Sequence, residues 1–233
     1  RGAGFFEGDA MISVIQLKLA MSNAFLLRGE KNILVDTGSP ADFPTLTHLL
    51  NKHGVEVGDL ALVVLTHLHF DHAGTVATLV KQAKCPVAVH RLEKENLETG
   101  KNAPIIPIHP LGKMLMPFMG MGFAPTSADI LVDDTLDLSP YGVAAQVVFT
   151  PGHTPGSVSL LTDDHQAIVG DLCGGGWPLG QFQPGRPRYH YWASSVETVR
   201  ASLKRVFASQ PVQIHVGHGG PLDGRQAGQF FLG

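Results

Sequence analysis

The sequence predicts an α/β fold of sheet layers covered by helices, on three observations. Short runs rich in Val, Ile and Leu alternate with segments of helical period. The alternation recurs in two similar halves, and no linker-like stretch separates them. The 233 residues suffice to bury a sizeable core, and 44% hydrophobic with 16% charged residues is the balance of a globular chain. We expect one domain over residues 1–233, with an inserted lid-like segment at about 100–128.

Residues 12–17 (ISVIQL), 24–28 (AFLLR) and 32–36 (NILVD) read as sequential strands, with 29–31 (GEK) as a tight turn. A helix follows. Ser39 suits its N-cap, Pro40 its first position and Asp42 its first turn, while Phe43, Leu46, Leu49 and Leu50 supply the apolar face. Residues 61–65 (ALVVL) form a continuous apolar strand of the kind covered on both faces. Val76, Leu79 and Val80 mark a helix running to Lys84, and 86–90 (PVAVH) is another strand. In the second half, 145–150, 157–162 and 166–170 read as strands. Residues 194–209 form a helix with a Ser194–Glu197 capping box and a buried face of Val196, Val199, Leu203, Val206 and Phe207. Residues 212–216 close the pattern as a last strand.

Two stretches interrupt this rhythm. Residues 100–128 are rich in Gly and Pro and hold four of the six methionines. Residues 174–192 hold both tryptophans and two of the three tyrosines. Long irregular segments in a compact fold usually cover or bind something.

Composition excludes several classes. The formal charge of -3, without a Lys/Arg block, argues against a nucleic-acid partner. No apolar run approaches the ~20 residues of a membrane span, so no membrane partner is expected. Only Cys85 and Cys173 occur, which gives no disulfide framework and suits a reducing compartment. The opening RGAGFFEGDA lacks the order of a signal peptide and reads as a trimmed terminus. A cytoplasmic location is the expectation.

THLHFDHAG (66–74) puts His67, His69, Asp71 and His72 directly after an apolar strand. Crowding imidazoles and carboxylates costs desolvation and repulsion unless a cation offsets both. Alternation in an extended turn points His67, His69 and Asp71 to one side. His153 lies in a Pro/Gly turn after the strand 145–150, Asp171 directly follows the strand 166–170, and His218 follows the strand 212–216. All these sites leave a strand for a glycine-containing turn, so they can converge on one sheet edge. Seven donors exceed the four of a tetrahedral zinc. Two cations sharing a carboxylate fit better, at the ~3.5–4 Å separation of two-metal hydrolases. Imidazole and carboxylate without thiolate suit Zn, Fe or Mn and argue against a closed structural zinc. We expect His48, His53, His90, His109, His165 and His215 to be structural or solvated.

The series His67-x-His69-x-Asp71-His72, His153, Asp171, His218 resembles the metallo-β-lactamase superfamily of binuclear hydrolases, over nearly the whole chain. Asp36 in LVDTG matches that family's early support motif. The resemblance implies an αββα sandwich of two mixed β-sheets flanked by helices. It implies that His67, His69 and His153 hold one metal, that Asp71, His72 and His218 hold the other, and that Asp171 bridges them. Asp36 would orient a ligand histidine. The expected cofactor is two divalent metal ions, zinc ahead of iron or manganese.

Two divalent ions lower the pKa of a shared water from ~15.7 toward ~7. The resulting hydroxide would attack a carbonyl or phosphoryl centre, with Asp71 as the catalytic residue handling a proton. Cys173 is expected to be a buried thiol. The turn around His153 looks most like glyoxalase II thioesterases and homoserine lactonases. The bridging Asp171 argues against a dedicated β-lactamase, and the glutathione-binding C-terminal helices of glyoxalase II have no counterpart after His218. Homoserine lactonases usually carry a tyrosine soon after the bridging aspartate, where this sequence has CGGG at 173–176. Trp177, Tyr189, Tyr191 and Trp192 are the candidate substrate-binding residues, and 100–128 a lid or a homodimer contact. The expectation is hydrolysis of a small-molecule lactone or thioester. Alternatives are a mononuclear iron persulfide dioxygenase using His67, His69, His153 and Asp171, a β-lactamase-like or phosphodiester hydrolase, and a binding protein that has lost turnover.

Overall fold

In the first sheet the side chains alternate so regularly that both faces must be covered. Phe25, Leu27, Ile33, Val35, Leu62 and Val64 point one way, and Ala24, Leu26, Leu34, Val63 and Leu65 the other. All are buried, which is the pattern of a sheet sandwiched between layers. The structure, a computed structural model, describes residues 12–233; the opening segment RGAGFFEGDA lies outside them.

The first sheet contains β1 (Ser13–Lys18), β2 (Asn23–Arg28), β3 (Asn32–Val35), β4 (Leu60–Val64), β5 (Val87–His90) and β6 (Ile130–Val132), in that order. β1 to β3 pair antiparallel and β3 to β6 parallel. The second sheet is assembled from β7 (Thr135–Asp137), β8 (Ala145–Phe149), β9 (Val158–Thr162) and β10 (Gln166–Ile168). A separate hairpin, β11 (Gly174–Trp177) and β12 (Phe182–Arg188), comes next in the chain. β13 (Gln213–His215) and β14 (Leu222–Asp223) then complete the second sheet in the order β14-β13-β10-β9-β8-β7, with β10 and β13 parallel.

Helices α1 (Phe43–Lys52), α2 (Phe70–Ala73), α3 (Val76–Ala83), α4 (Lys94–Thr99) and α5 (Pro110–Leu115) belong to the first half, α6 (Val196–Phe207) and α7 (Gly224–Leu232) to the second. Leu46 and Leu50 of α1 with Val76 and Leu79 of α3 pack on the outer face of the first sheet. Val199, Leu203 and Val206 of α6 with Ala227 and Phe231 of α7 pack on the outer face of the second. Between the sheets Phe25, Ile33 and Leu62 meet Val147, Leu160 and Ile168. Helix, sheet, sheet and helix are thus held by three apolar layers: an αββα sandwich of two mixed sheets.

Some boundaries differ from the sequence reading. Helix α1 starts at Phe43, not after Ser39. Asp42 turns its carboxylate back to accept the Ser39 N–H at 2.8 Å, so Ser39 and Pro40 form the preceding turn and Pro44 takes the early helical position. The N-cap of α6 is Ser195, whose hydroxyl accepts from Thr198 N. Ser194 does not form the expected box with Glu197, because its hydroxyl donates to the Gly152 and His153 carbonyls. The stretch 174–192, irregular by sequence, contains the β11–β12 hairpin, hidden by Gly and Pro, which strands normally lack.

Candidate metal centre

All the candidate donors sit on loops that leave the same ends of strands. β4 ends at Val64 and the chain runs extended through His69, whose backbone (φ -109°, ψ 152°) opens α2. Asp71 and His72 lie in that single helical turn. His153 follows β8, Asp171 follows β10 and His218 follows β13. Two glycines permit the approach. Gly170 has φ +51° and lies against the Thr66 side chain, and a side chain at Gly217 would collide with the Asp171 carboxylate.

The donors converge on one carboxylate oxygen. Asp171 Oδ2 has His190 Nε2 and His218 Nε2 at 3.3 Å, His72 Nε2 at 3.5 Å, His153 Nε2 at 3.6 Å and His67 Nε2 at 3.8 Å. His69 Nδ1 lies 3.2 Å from His153 Nε2, and Asp71 Oδ2 lies 3.4 Å from His218 Nε2. Groups able to share a cation are His67/His69/His153, His67/His72/Asp171, Asp71/His72/His218 and His153/Asp171/His190. The structure therefore brings all seven sequence-predicted donors together.

The far side of several rings is anchored. His72 Nδ1 donates to Asp36 Oδ2 at 2.9 Å, His153 Nδ1 to the Trp192 carbonyl at 3.0 Å and His218 Nδ1 to the Met21 carbonyl at 2.9 Å. His67 Nδ1 donates to Thr66 Oγ1, which itself donates to Asp36 Oδ2. These acceptors fix the tautomer and turn each Nε2 lone pair inward. Asp36 thus sits where the support motif predicts, at φ 59° just past β3, with Oδ1 accepting from Thr66 N. Among the described residues, the Nε2 atoms of His67, His69 and His72 and Oδ1 of Asp171 are buried without partners. Such groups rarely persist unpaired, and lone pairs this close repel. A divalent cation cluster is what this donor set fits.

Charge points the same way. Burial holds His67 far below its usual 6.5 and His69 at about 3, and also lowers His153 and His190, so these rings are neutral. Burial would lower His72 and His218 as well, but Asp171 and Asp71 outweigh it; His72 lies well above 6.5 and His218 reaches about 10. Burial would raise Asp71 and Asp171. The facing histidines instead pull both well below the carboxylate range. Without a cation, protons on two histidines supply its positive charge.

The four residues proposed to bind substrate divide. Trp177, Tyr189 and Tyr191 line a surface cavity of about 440 Å³ with His109, Phe182 and Arg188, and none of the seven donors is in that lining. Trp192 is buried and contributes its backbone carbonyl to His153. A different cavity, about 280 Å³, does reach His218, between Leu19–Asn23, Leu179–Gln181 and Gly217–Gly220. The segment 100–128 is tied to the donor loop: Ala103 N donates to Leu68 O, and Asn102 Oδ1 accepts from Phe70 N.

Two buried residues escaped the sequence reading. His190 lies within the 174–192 stretch, where its neighbours Tyr189, Tyr191 and Trp192 give no strand-end signal. Glu93, in a charged helical stretch, turns inward to accept from Leu68 N, Thr154 Oγ1 and Gly156 N, joining the first donor loop to the turn of His153.

Fold and centre together define the class: an αββα protein whose strand-end loops gather a divalent cation site. The profile of the Metallo-beta-lactamase superfamily matches residues 17–218, and the chain belongs to that superfamily. A probable metallo-hydrolase of Methanocaldococcus jannaschii is 31% identical over 150 residues, 64% of this chain and 66% of that protein. A probable metallo-hydrolase of Bacillus subtilis is 26% identical over 96% of this chain and 89% of its own length. The N-acyl homoserine lactonase AiiA of Bacillus thuringiensis is 26% identical over 61% of this chain and 58% of its own. Among solved structures, TTHA1623 in a di-iron-bound form superposes with a TM-score of 0.65 at 25% identity, covering 92% of this chain and 96% of that one.

Proposed function

We propose that the protein is a binuclear metal-dependent hydrolase of a small-molecule ester-like bond, a lactone or thioester. The observation that carries this is the convergence of five imidazoles on Asp171 Oδ2, with Asp71 and His69 completing the set. His67, His69 and His153 would hold one cation and Asp71, His72 and His218 the other, with Asp171 shared between them. A cation pair supplies Lewis acidity toward a carbonyl oxygen and lowers the pKa of water from 15.7 toward about 7. Zinc is our first choice, with iron or manganese as the other candidates.

The chain's own groups do the rest. Asp36 and the Met21 and Trp192 carbonyls hold His72, His218 and His153 in the tautomer that leaves Nε2 free. Asp71, whose Oδ2 lies 3.4 Å from His218 Nε2, would accept a proton and pass it to the leaving group. The cavity at His218 is bounded by the apolar Leu19, Met21, Leu179 and Pro184 and the uncharged polar Gln16, Ser22, Asn23 and Gln181, with Lys18 at its edge. That lining suits an uncharged acyl or lactone ring better than a polyanion, and the lactonase relative supports the same choice.

An assay panel of lactones, thioesters, nitrocefin and bis-p-nitrophenyl phosphate, run with metal stoichiometry, tests the proposal. Turnover of lactone or thioester by protein holding two cations per chain is the expected result. Phosphodiester turnover far above the carbonyl substrates would overturn the bond assignment. One iron per chain with oxygen uptake on a persulfide would overturn the hydrolase itself.

A further inference from the structure

His190 departs from the other buried histidines of the centre. Its ring is packed edge-on against His153 (centroids 4.7 Å apart) and nearly parallel to His218 (5.5 Å). Both of its nitrogens are buried and neither has a hydrogen-bond partner among the described residues. Its Nε2 lies 3.3 Å from Asp171 Oδ2, as close as that of His218. A buried imidazole with both nitrogens unpaired is an expensive arrangement. A packing residue in this place would be better as Leu or Phe.

The geometry points to His190 as an eighth metal donor, on the His153 side of Asp171, and this rests on the reading of the centre as a two-cation site. Donors at about 2.0–2.2 Å from one ion at tetrahedral angles stand about 3.3–3.6 Å apart. The 3.3 Å from His190 to Asp171 and the 3.6 Å from His153 to Asp171 fall in that range. His190, Asp171 and His153 also form one of the four groups close enough to share a cation. The outer side of the ring sets His190 apart from three of the donors. His72, His153 and His218 each have an acceptor on Nδ1, which makes the opposite nitrogen a stronger base, whereas His190 Nδ1, like the outer Nε2 of His69, has none among the described residues. His190 is therefore held less firmly than those three. A sixth imidazole also raises the donor number above four, which tetrahedral zinc does not need.

The test compares the wild-type chain with His190→Ala and His190→Gln, using Zn²⁺ and Co²⁺ as probes on chelator-treated protein. Wild type should take up two cations. Both variants should lose at least about tenfold in affinity for one of them, since even outer partners of ligands are worth about 10–100-fold. The visible absorption of the cobalt-loaded protein should change in both variants. The melting temperature should fall more in the loaded than in the metal-free protein, because truncation of the buried ring costs packing in both but a cation ligand only in the first. Unchanged affinity and cobalt spectrum in both variants would overturn the inference and leave the two-cation reading intact. An equal drop in the loaded and metal-free melting temperatures would show His190 to be a packing residue and overturn it too. Wild type that takes up no cobalt would sink the metal reading itself.

Discussion

Asp36 Oδ2 accepts the Nδ1 proton of His72 at 2.9 Å, although the two lie on different elements and both are fully buried. The same carboxylate accepts twice from Thr66 and, through its hydroxyl, steadies His67. One side chain therefore orients a donor on each side of Asp171. Asp36→Asn keeps the size but weakens these acceptors, and should lower cation affinity by about 10–100-fold with turnover falling alongside. Asp36→Ala leaves three buried donors unmatched and should also destabilise the fold by about 3–5 kcal/mol. Metal competition and denaturant unfolding read the two effects separately, and an Asn variant with wild-type affinity would contradict this account.

Glu93 predicts an effect on stability first and chemistry second. Its two oxygens accept from Leu68 N, Thr154 Oγ1 and Gly156 N, while burial raises its pKa. Glu93→Gln turns an amide NH₂ toward one of these donors. The expected loss is about 1–3 kcal/mol, a few degrees of melting temperature for about 230 residues. A variant melting as the wild type does would show that the joint between the two donor loops is dispensable.

Cation binding should release protons. His72 and His218 are raised above 6.5, His218 to about 10, so both are protonated at pH 7 in the metal-free chain. A raised folded pKa stabilises that form in full below about 6.5, and the contribution fades as pH climbs toward 10. Cations need the neutral rings, so their affinity must rise over the same window. Calorimetry in buffers of different ionisation heat should find about two protons released per chain at pH 7, one from each ring. A value near zero would refute the charge assignment.

Cys173 lies two positions after Asp171, yet burial and the neighbouring Asp171 charge push its thiol far up. It is completely buried. Thiol reagents should label the half-buried Cys85 and spare Cys173 in the folded chain. Cys173→Ala should keep turnover within a few-fold. Loss of activity with unchanged metal content would give this sulfur a role denied to it here.

Removing the cations should lower stability by mass action, about 4.1 kcal/mol for ions at a thousand times their dissociation constant. Thermal melts before and after chelation, with restoration by added Zn²⁺, measure this directly. Equal melting temperatures would mean that the cluster binds nothing tightly.

Most of the architecture was legible because apolar runs and strand-end turns carry strong local signals. The strands at 24–28, 61–65 and 157–162 lie within a residue of those observed, and the seven clustered donors each followed a run of this kind. What escaped has a physical reason. β6, β7 and β14 are two or three residues long and take their form from their neighbours. Ser194 looked like a cap but hydrogen-bonds the His153 loop, a partner 41 positions away. His190 and Glu93 owe their inward positions to tertiary packing alone. Of the four aromatic candidates, Trp192 gives its carbonyl to His153, and Trp177, Tyr189 and Tyr191 line a groove whose walls include none of the seven donors.

His67 to His72 hang from one β-sheet, while His153, Asp171 and His218 hang from the other. The cluster therefore works as a gauge of how the two sheets are seated on each other. A slip between the layers changes the donor positions around a bound cation, and the colour of a cobalt-substituted sample reads that change. Trimming Leu160 to Ala, in the apolar seam away from any donor, should shift that colour before it abolishes the fold.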